Sequence, residues 1–223
     1  MTVHPDSLTQ AETKQRLLDA AGEVFAEQGF RGATIRDICK RAGANVAAVN
    51  YHFGDKEKLY LAVIRYAHVC AAAKDFPPEV TEPGRLAARE RLRAYVHHFL
   101  QRLLDVGRPS WHSKLMAREM IEPTAALDII VAESIKPHYQ LLLSILREYL
   151  GDGVDEPTLR MCVGSLLGQC LFHHHSRAVI QRVLPQQKYG PEEIARIAEH
   201  IAEFTHLGLT QMSAKARAGK PNV

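Results

Sequence analysis

Apolar residues recur at intervals of three and four along almost the whole chain, and nowhere do β-branched residues alternate with polar ones as a strand would require. The pattern predicts an all-α fold. Leu17, Ala21, Val24 and Phe25 share one face of a helix from Gln10 to Gln28, with Gly29 as its C-terminal stop. Shorter helices follow from Thr34 to Arg41 and, after a turn at Gly43, from Asn45. Asp55 then opens a longer helix whose inner stripe is Leu59, Val63, Tyr66 and Cys70.

The stretch KDFPPEVTEPGR, residues 74 to 85, holds three prolines and no helical period, which makes it the best domain boundary. Beyond it, Leu92, Val96, Phe99 and Leu103 mark a long helix ended by Gly107 and Pro109, and another covers Trp111 to Ile121. Thr124 can cap a helix reaching Leu150, kinked at Pro137 because proline has no amide proton and crowds the preceding turn. Two more helices are expected, over 157–183 and 191–211, followed by a basic, disordered tail. The expected organisation is residues 1–54 as one domain, 55–73 as a connecting helix, 74–212 as a second helical domain, and 213–223 as tail.

The two short helices flanking Gly43 form a helix-turn-helix. Ile35, Ile38, Ala42, Val49 and Phe53 face inward, and glycine permits the tight turn. The outward face of the second helix offers Asn45, Val46, Ala47, Ala48, Asn50 and Tyr51. Small residues there suit close approach to base edges, since a bulky face would hold the helix out of a major groove. A hydroxyl at the helix start, Thr34, and a lysine in the first turn of the next helix, Lys56, suit phosphate oxygens.

The segment GFRGATIRDICKRAGANVAAVNYHFGDKEKLY, residues 29 to 60, resembles the DNA-binding domain of the TetR family of transcriptional regulators. AREMIEPTAALD at 117 to 128 and VGSLLGQCLFHHHSRAVI at 163 to 180 resemble the ligand-binding half of its CecR-like subgroup. The resemblance implies an N-terminal three-helix DNA-binding domain joined to a C-terminal ligand-binding and dimerisation domain. It further implies a homodimer on a palindromic operator in double-stranded DNA, a repressor by default, released when a small molecule enters the second domain. By matching position, Thr34, Tyr51 and Lys56 would anchor phosphates, while Asn45, Ala47, Ala48 and Asn50 would lie against bases. Arg36 and His52 complete the DNA-facing candidates, and Ala44 stands where many members carry valine.

Ile194, Ile197, Ile201, Phe204 and Gly208 alternate at intervals of three and four, a spacing that fits a dimer seam and a buried core equally. With Gly164 and Gly168 on the preceding helix they are the candidate dimer interface, which the resemblance places on the last two helices. Candidate effector residues are Phe99, Trp111, Met116, Met120 and Phe172, with His98, Arg118, Glu119, Glu122, His173 and His174 as polar anchors. Their mixture points to an amphipathic organic effector, although each apolar one also fits plain core and Arg118 with Glu122 fits an i,i+4 ion pair. Filling that pocket is expected to move the helix over 55–73 and spread the recognition helices.

Charge sharpens the picture only locally. The net charge of +3 announces nothing, but residues 31 to 60 hold six basic against three acidic residues. The twelve histidines, three of them consecutive at 173 to 175, raise a rival metal-sensor or metalloenzyme reading. Consecutive helical residues point about 100° apart, so the triplet cannot converge on one ion. No two histidines are three or four apart, and neither a phosphate-cradling glycine loop nor a G-x-S-x-G elbow occurs. No catalytic residue, metal site or cofactor is therefore expected. The most apolar stretch, 161 to 172, is shorter than the roughly 18 residues of a membrane span. The first ten residues carry no secretion pattern, so a cytoplasmic location is expected, with the four cysteines as buried free thiols.

Overall fold

The computed structural model describes residues 10–72, 76–104, 110–151 and 153–218; the side chains of 68–72, 110 and 215–218 lie outside that description. Its helices in chain order are α1 (Gln10–Gly32), α2 (Ile35–Ala42), α3 (Val46–Phe53), α4 (Lys56–Ala72), α5 (Pro78–Thr81), α6 (Ala88–Leu104), α7 (Ser110–Ile121), α8 (Ala126–Ile130), α9 (Lys136–Leu150), α10 (Glu156–His175), α11 (Arg177–Val183) and α12 (Pro191–Ala218). A π-helical turn, Val131–Ile135, joins α8 to α9. No strand occurs among the described residues, so the fold is all-α.

The chain divides into two compact units, Met1–Ala73 with Gly107–Ile135 and Lys74–Val106 with Lys136–Val223. The first is built on α1. Gly29 breaks that helix at φ +74°, where the sequence places its stop. Leu17, Ala21, Val24 and Phe25 form a buried face against Ile38 of α2, Val49 of α3 and Leu59 and Val63 of α4. The same core takes in Trp111 and Leu115 of α7 and Ala126 and Ile130 of α8. Residues 110–135 therefore pack with the N-terminal helices, in a unit discontinuous in sequence, whereas the expected second domain ran unbroken over 74–212. Trp111 shows why: its ring lies so close to α1 that a Cβ on Gly22 would stand 2.6 Å from it.

The second unit packs α6, α9, α10 and α12 around Leu92, Val96, Leu100, Leu142, Ile145, Leu146, Val163, Leu166 and Cys170. The proline-rich stretch after residue 74 is no open loop here. It contains α5, whose Val80 is fully buried and whose carbonyl accepts from Nε and Nη2 of Arg91, at 3.2 and 3.0 Å. Arg91 is only 1% exposed and pairs with Glu148 of α9, so one guanidinium ties three helices together.

Three further expectations are adjusted. Before Pro137 the helix widens into the π-helical turn, which accommodates a ring that would crowd the carbonyl four residues earlier. The helix expected over 157–183 divides at Ser176, whose φ of −92° and ψ of 8° end the α-helical ladder. The last helix continues to Ala218, well into the expected tail. The ends of the sixth helix at Gly107 and Pro109, and the side chain of Cys70, lie outside the described residues.

Gly43 is the tightest requirement of the first unit. It holds φ +59° as the left-handed cap of α2, its amide donating to the Cys39 and Lys40 carbonyls, and a Cβ there would stand 2.8 Å from the Arg16 guanidinium. A Gly43→Ala variant is expected to lose about 1–2 kcal/mol from the left-handed conformation alone. Denaturant unfolding should therefore show a lowered midpoint with an unchanged slope.

Candidate nucleic-acid interface and effector residues

Three side chains start three helices in succession. Thr34 caps α2, its hydroxyl accepting from the Asp37 amide at 3.2 Å and donating to the Asp37 carboxylate at 2.6 Å. Asn45 caps α3 through Oδ1, which accepts from the Ala48 amide at 2.8 Å. Asp55 caps α4, accepting from the Lys58 amide at 2.8 Å, and these bonds hold its carboxyl below the usual range. Arg16 of α1 reaches across to the carbonyls of Ala42 and Gly43, and Arg41 of α2 pairs with Glu27 of α1 at 2.8 Å. The turn between α2 and α3 is thus fixed at both ends.

On this frame Val49 and Phe53 point inward, while Ala47, Asn50 and Tyr51 stand exposed and Ala48 packs partly on the core. Tyr51 is 71% exposed, and its hydroxyl accepts from Gln10 at 3.4 Å. His52 is half-buried with its ring between those of Tyr51 and Phe53, and Arg36 is exposed on α2. Two candidates also carry structural duties. The Thr34 hydroxyl is already engaged by Asp37, so a phosphate there would meet a carboxylate. Lys56 sits over the Phe30 ring, 4.8 Å from its centroid, and donates to the Ala33 carbonyl at 2.8 Å. Arg16 is the residue that sequence reasoning missed; immediately before the apolar face of α1, it gave no signal short of the folded turn.

The effector candidates separate between the two units. In the first, Trp111 is buried against α1, Met116 packs on the core, and Met120 and Glu122 are exposed. Glu119 is 1% exposed, and both its oxygens are engaged: Oε2 by the Tyr60 hydroxyl at 2.5 Å, Oε1 by the Thr124 amide at 2.6 Å and hydroxyl at 2.8 Å. It therefore serves the fold, joining α4 to the turn after α7. Burial and the adjoining carboxylate push the Tyr60 hydroxyl well up, so it stays a donor throughout the ordinary pH range. Arg118 spends Nη1 on the carbonyls of Ala26 and Glu27, at the C-terminal end of the α1 helix.

In the second unit Phe99 stacks on Tyr95, which stacks on Phe76, with His98 exposed beside them. His173 lies near Tyr189 and is held below its usual range by burial, whereas His174 faces His175. Phe172 is exposed rather than set in a cavity. Among the described residues no group of three or more His, Cys, Asp or Glu stands together as a metal site. No described helix is long and apolar enough to cross a membrane. Of the candidate dimer residues, Ile194, Ile197 and Ile201 are buried in the core of their own unit, where α12 packs on α6. The three-four spacing marked a real apolar seam, but one that faces inward. Phe204, Gly208, Gly164 and Gly168 are exposed.

A capped, eight-residue α3 with a small polar outer face, set after a glycine turn, defines a helix-turn-helix regulator, and the comparisons agree. Residues 17–63 match the bacterial regulatory proteins of the tetR family, and residues 88–209 match the C-terminal domain of the HTH-type transcriptional dual regulator CecR. The chain belongs to the TetR family and carries a CecR-type C-terminal domain; proteins of this family are transcriptional regulators, not enzymes. It is 30% identical over 168 residues to CecR of Shigella flexneri, covering 72% of this chain and 74% of that protein. It is 32% identical over 181 residues to a transcriptional repressor of Mycobacterium tuberculosis, covering 73% and 91%. Among solved structures, AibR in complex with isovaleryl coenzyme A and operator DNA shares its fold. The TM-score is 0.63 at 18% identity, over 86% of this chain and 97% of that one.

The clamp on Glu119 generates a stability test. Tyr60→Phe keeps the ring in the Phe25–Phe30 cluster but removes a donor from a buried carboxylate, and is expected to cost about 1–3 kcal/mol. Thermal unfolding should show it as a lowered midpoint that Glu119→Gln does not reproduce in full.

Proposed function

We propose that the chain is a homodimeric repressor that reads a palindromic operator with α3 and leaves it when a small amphipathic organic molecule binds. The observation that carries the reading is the outer face of α3, where Ala47, Asn50 and Tyr51 project unobstructed from a helix held by fixed caps. Asn50 supplies the donor and acceptor that suit a base edge, and Ala47 lets the helix lie deep in the groove. Tyr51 and Lys56 serve phosphates, with Arg36 beside them. Asn45 contributes to this face chiefly as the cap, its amide nitrogen remaining for DNA. Repression agrees with the activity named for the mycobacterial relative.

Dimerisation is supported by an exposed stripe on the last helices. Met161, Gly164, Gly168 and Phe172 follow one another along α10, and Phe204, Leu207 and Gly208 along α12, all exposed in the single chain. Nothing lies within 4 Å of a Cβ built on any of the three glycines, so a second helix can approach closely there. A twofold pairing of this stripe would set two copies of α3 on one duplex. Effector binding then acts by favouring one spacing of those copies, through α4.

Two measurements test the reading. Sedimentation should give a mass twice the 24.9 kDa of one chain, and Gly168→Arg should bring it down to one. On DNA fragments selected from the source genome, Lys56→Ala should weaken binding to every duplex and lower the log–log salt slope by about 0.9 per subunit, about 1.8 for the dimer, whereas Asn50→Ala should change the ranking of fragments. A monomeric wild type, or the reverse pattern for the two variants, contradicts the assignment.

A further inference from the structure

A cleft of about 480 Å³ opens within the first unit, between the end of α1, the start of α4 and the turn after α7. That is an ordinary size for a small-molecule site. One wall is apolar: Phe30, Tyr60 and Pro123, the two rings 5.0 Å apart between centroids. Its polar lining is Arg31, Arg118, Glu122 and Thr124. Arg118 engages two carbonyls of α1 through Nη1, yet its Nε is buried with no hydrogen-bond partner. The nearest carboxylate oxygen, on Glu122, is 3.7 Å from that nitrogen, beyond hydrogen-bond distance, and the Glu122 side chain is 68% exposed and free to swing out. That nitrogen lies against Gly29 of α1, which leaves the rest of the guanidinium to face the cleft.

We infer that this cleft binds a small amphipathic carboxylate whose flat apolar body lies on Phe30 and Tyr60 and whose anionic head pairs with the exposed part of the Arg118 guanidinium. Arg31 adds a second positive charge, so the site takes an anion in preference to a neutral molecule of the same shape. Arg118 and Glu122 are among the expected effector residues, but the cleft they line lies in the unit that carries α3 and not among the C-terminal helices. Phe30 also underlies the Lys56 ammonium, and Lys56 holds the Ala33 carbonyl next to the cap of α2. A ligand that moves the Phe30 ring therefore acts on the DNA-facing surface without passing through the second unit; only this consequence rests on the proposed function.

The test is calorimetric titration of the full chain, free of DNA, with 2-naphthoate and with its neutral analogue 2-naphthamide. One naphthoate per subunit is expected, at least about tenfold tighter than the amide. Arg118→Gln should weaken the acid by about ten- to a hundredfold and leave the amide unchanged. Because Arg118 also supports α1, a second variant at an exposed turn position, Pro123→Trp, fills the mouth and should abolish both. Absence of naphthoate binding, equal affinity for acid and amide, or naphthoate binding that survives both variants overturns the assignment. Operator binding by the ligand-free chain is measured separately. A chain that takes naphthoate and ignores operator would contradict the regulatory reading alone, and one that binds operator but not naphthoate would contradict the cleft alone.

Discussion

An eight-residue helix does not hold itself together in water, because too few internal hydrogen bonds offset the cost of nucleation. The existence of α3 therefore depends on what surrounds it: the Asn45 cap, the left-handed Gly43 before it, Gly54 after it, and the burial of Val49 and Phe53 on α1 and α4. Every functional statement about the chain descends from that constraint. A helix anchored by two apolar residues and two ends leaves Val46, Ala47, Asn50 and Tyr51 turned to solvent, with Ala48 and His52 half-buried.

The second organising feature is the capture of α7 by the first unit. Trp111 presses on Gly22, Arg118 meets the end of the α1 helix, and Glu119 joins Tyr60 to Thr124. A helix from the middle of the chain thereby becomes part of the body that presents α3. Rearrangement of residues 111–124 would reach the helix-turn-helix through a buried carboxylate and a tightly packed ring. The contacts are short, and their loss would be costly, which is the physical requirement for transmitting a small displacement.

Much of this was legible in the sequence where the causes are local. The stop at Gly29, the helix starts at Thr34, Asn45 and Asp55, and the irregularity before Pro137 follow from the conformational preferences of single residues. What was not legible depends on which face meets which. The spacing of Ile194, Ile197 and Ile201 says that a stripe is buried, not that α6 buries it. Glu119 reads as a polar anchor until Tyr60, fifty-nine positions away, is seen to occupy it. Lys56 reads as a phosphate ligand, and only the fold shows the Phe30 ring and the Ala33 carbonyl that it also serves.

The measurement closest to the central claim is a footprint of the purified chain on the genomic fragment it selects. Two protected half-sites of related, inverted sequence are predicted, their centres about 34–36 Å apart or a multiple of that along the helix axis, each centred on a major groove. Protection of a single uninterrupted site without inverted symmetry, or no selection of any fragment over bulk duplex at low salt, would contradict a twofold regulator that reads DNA with α3.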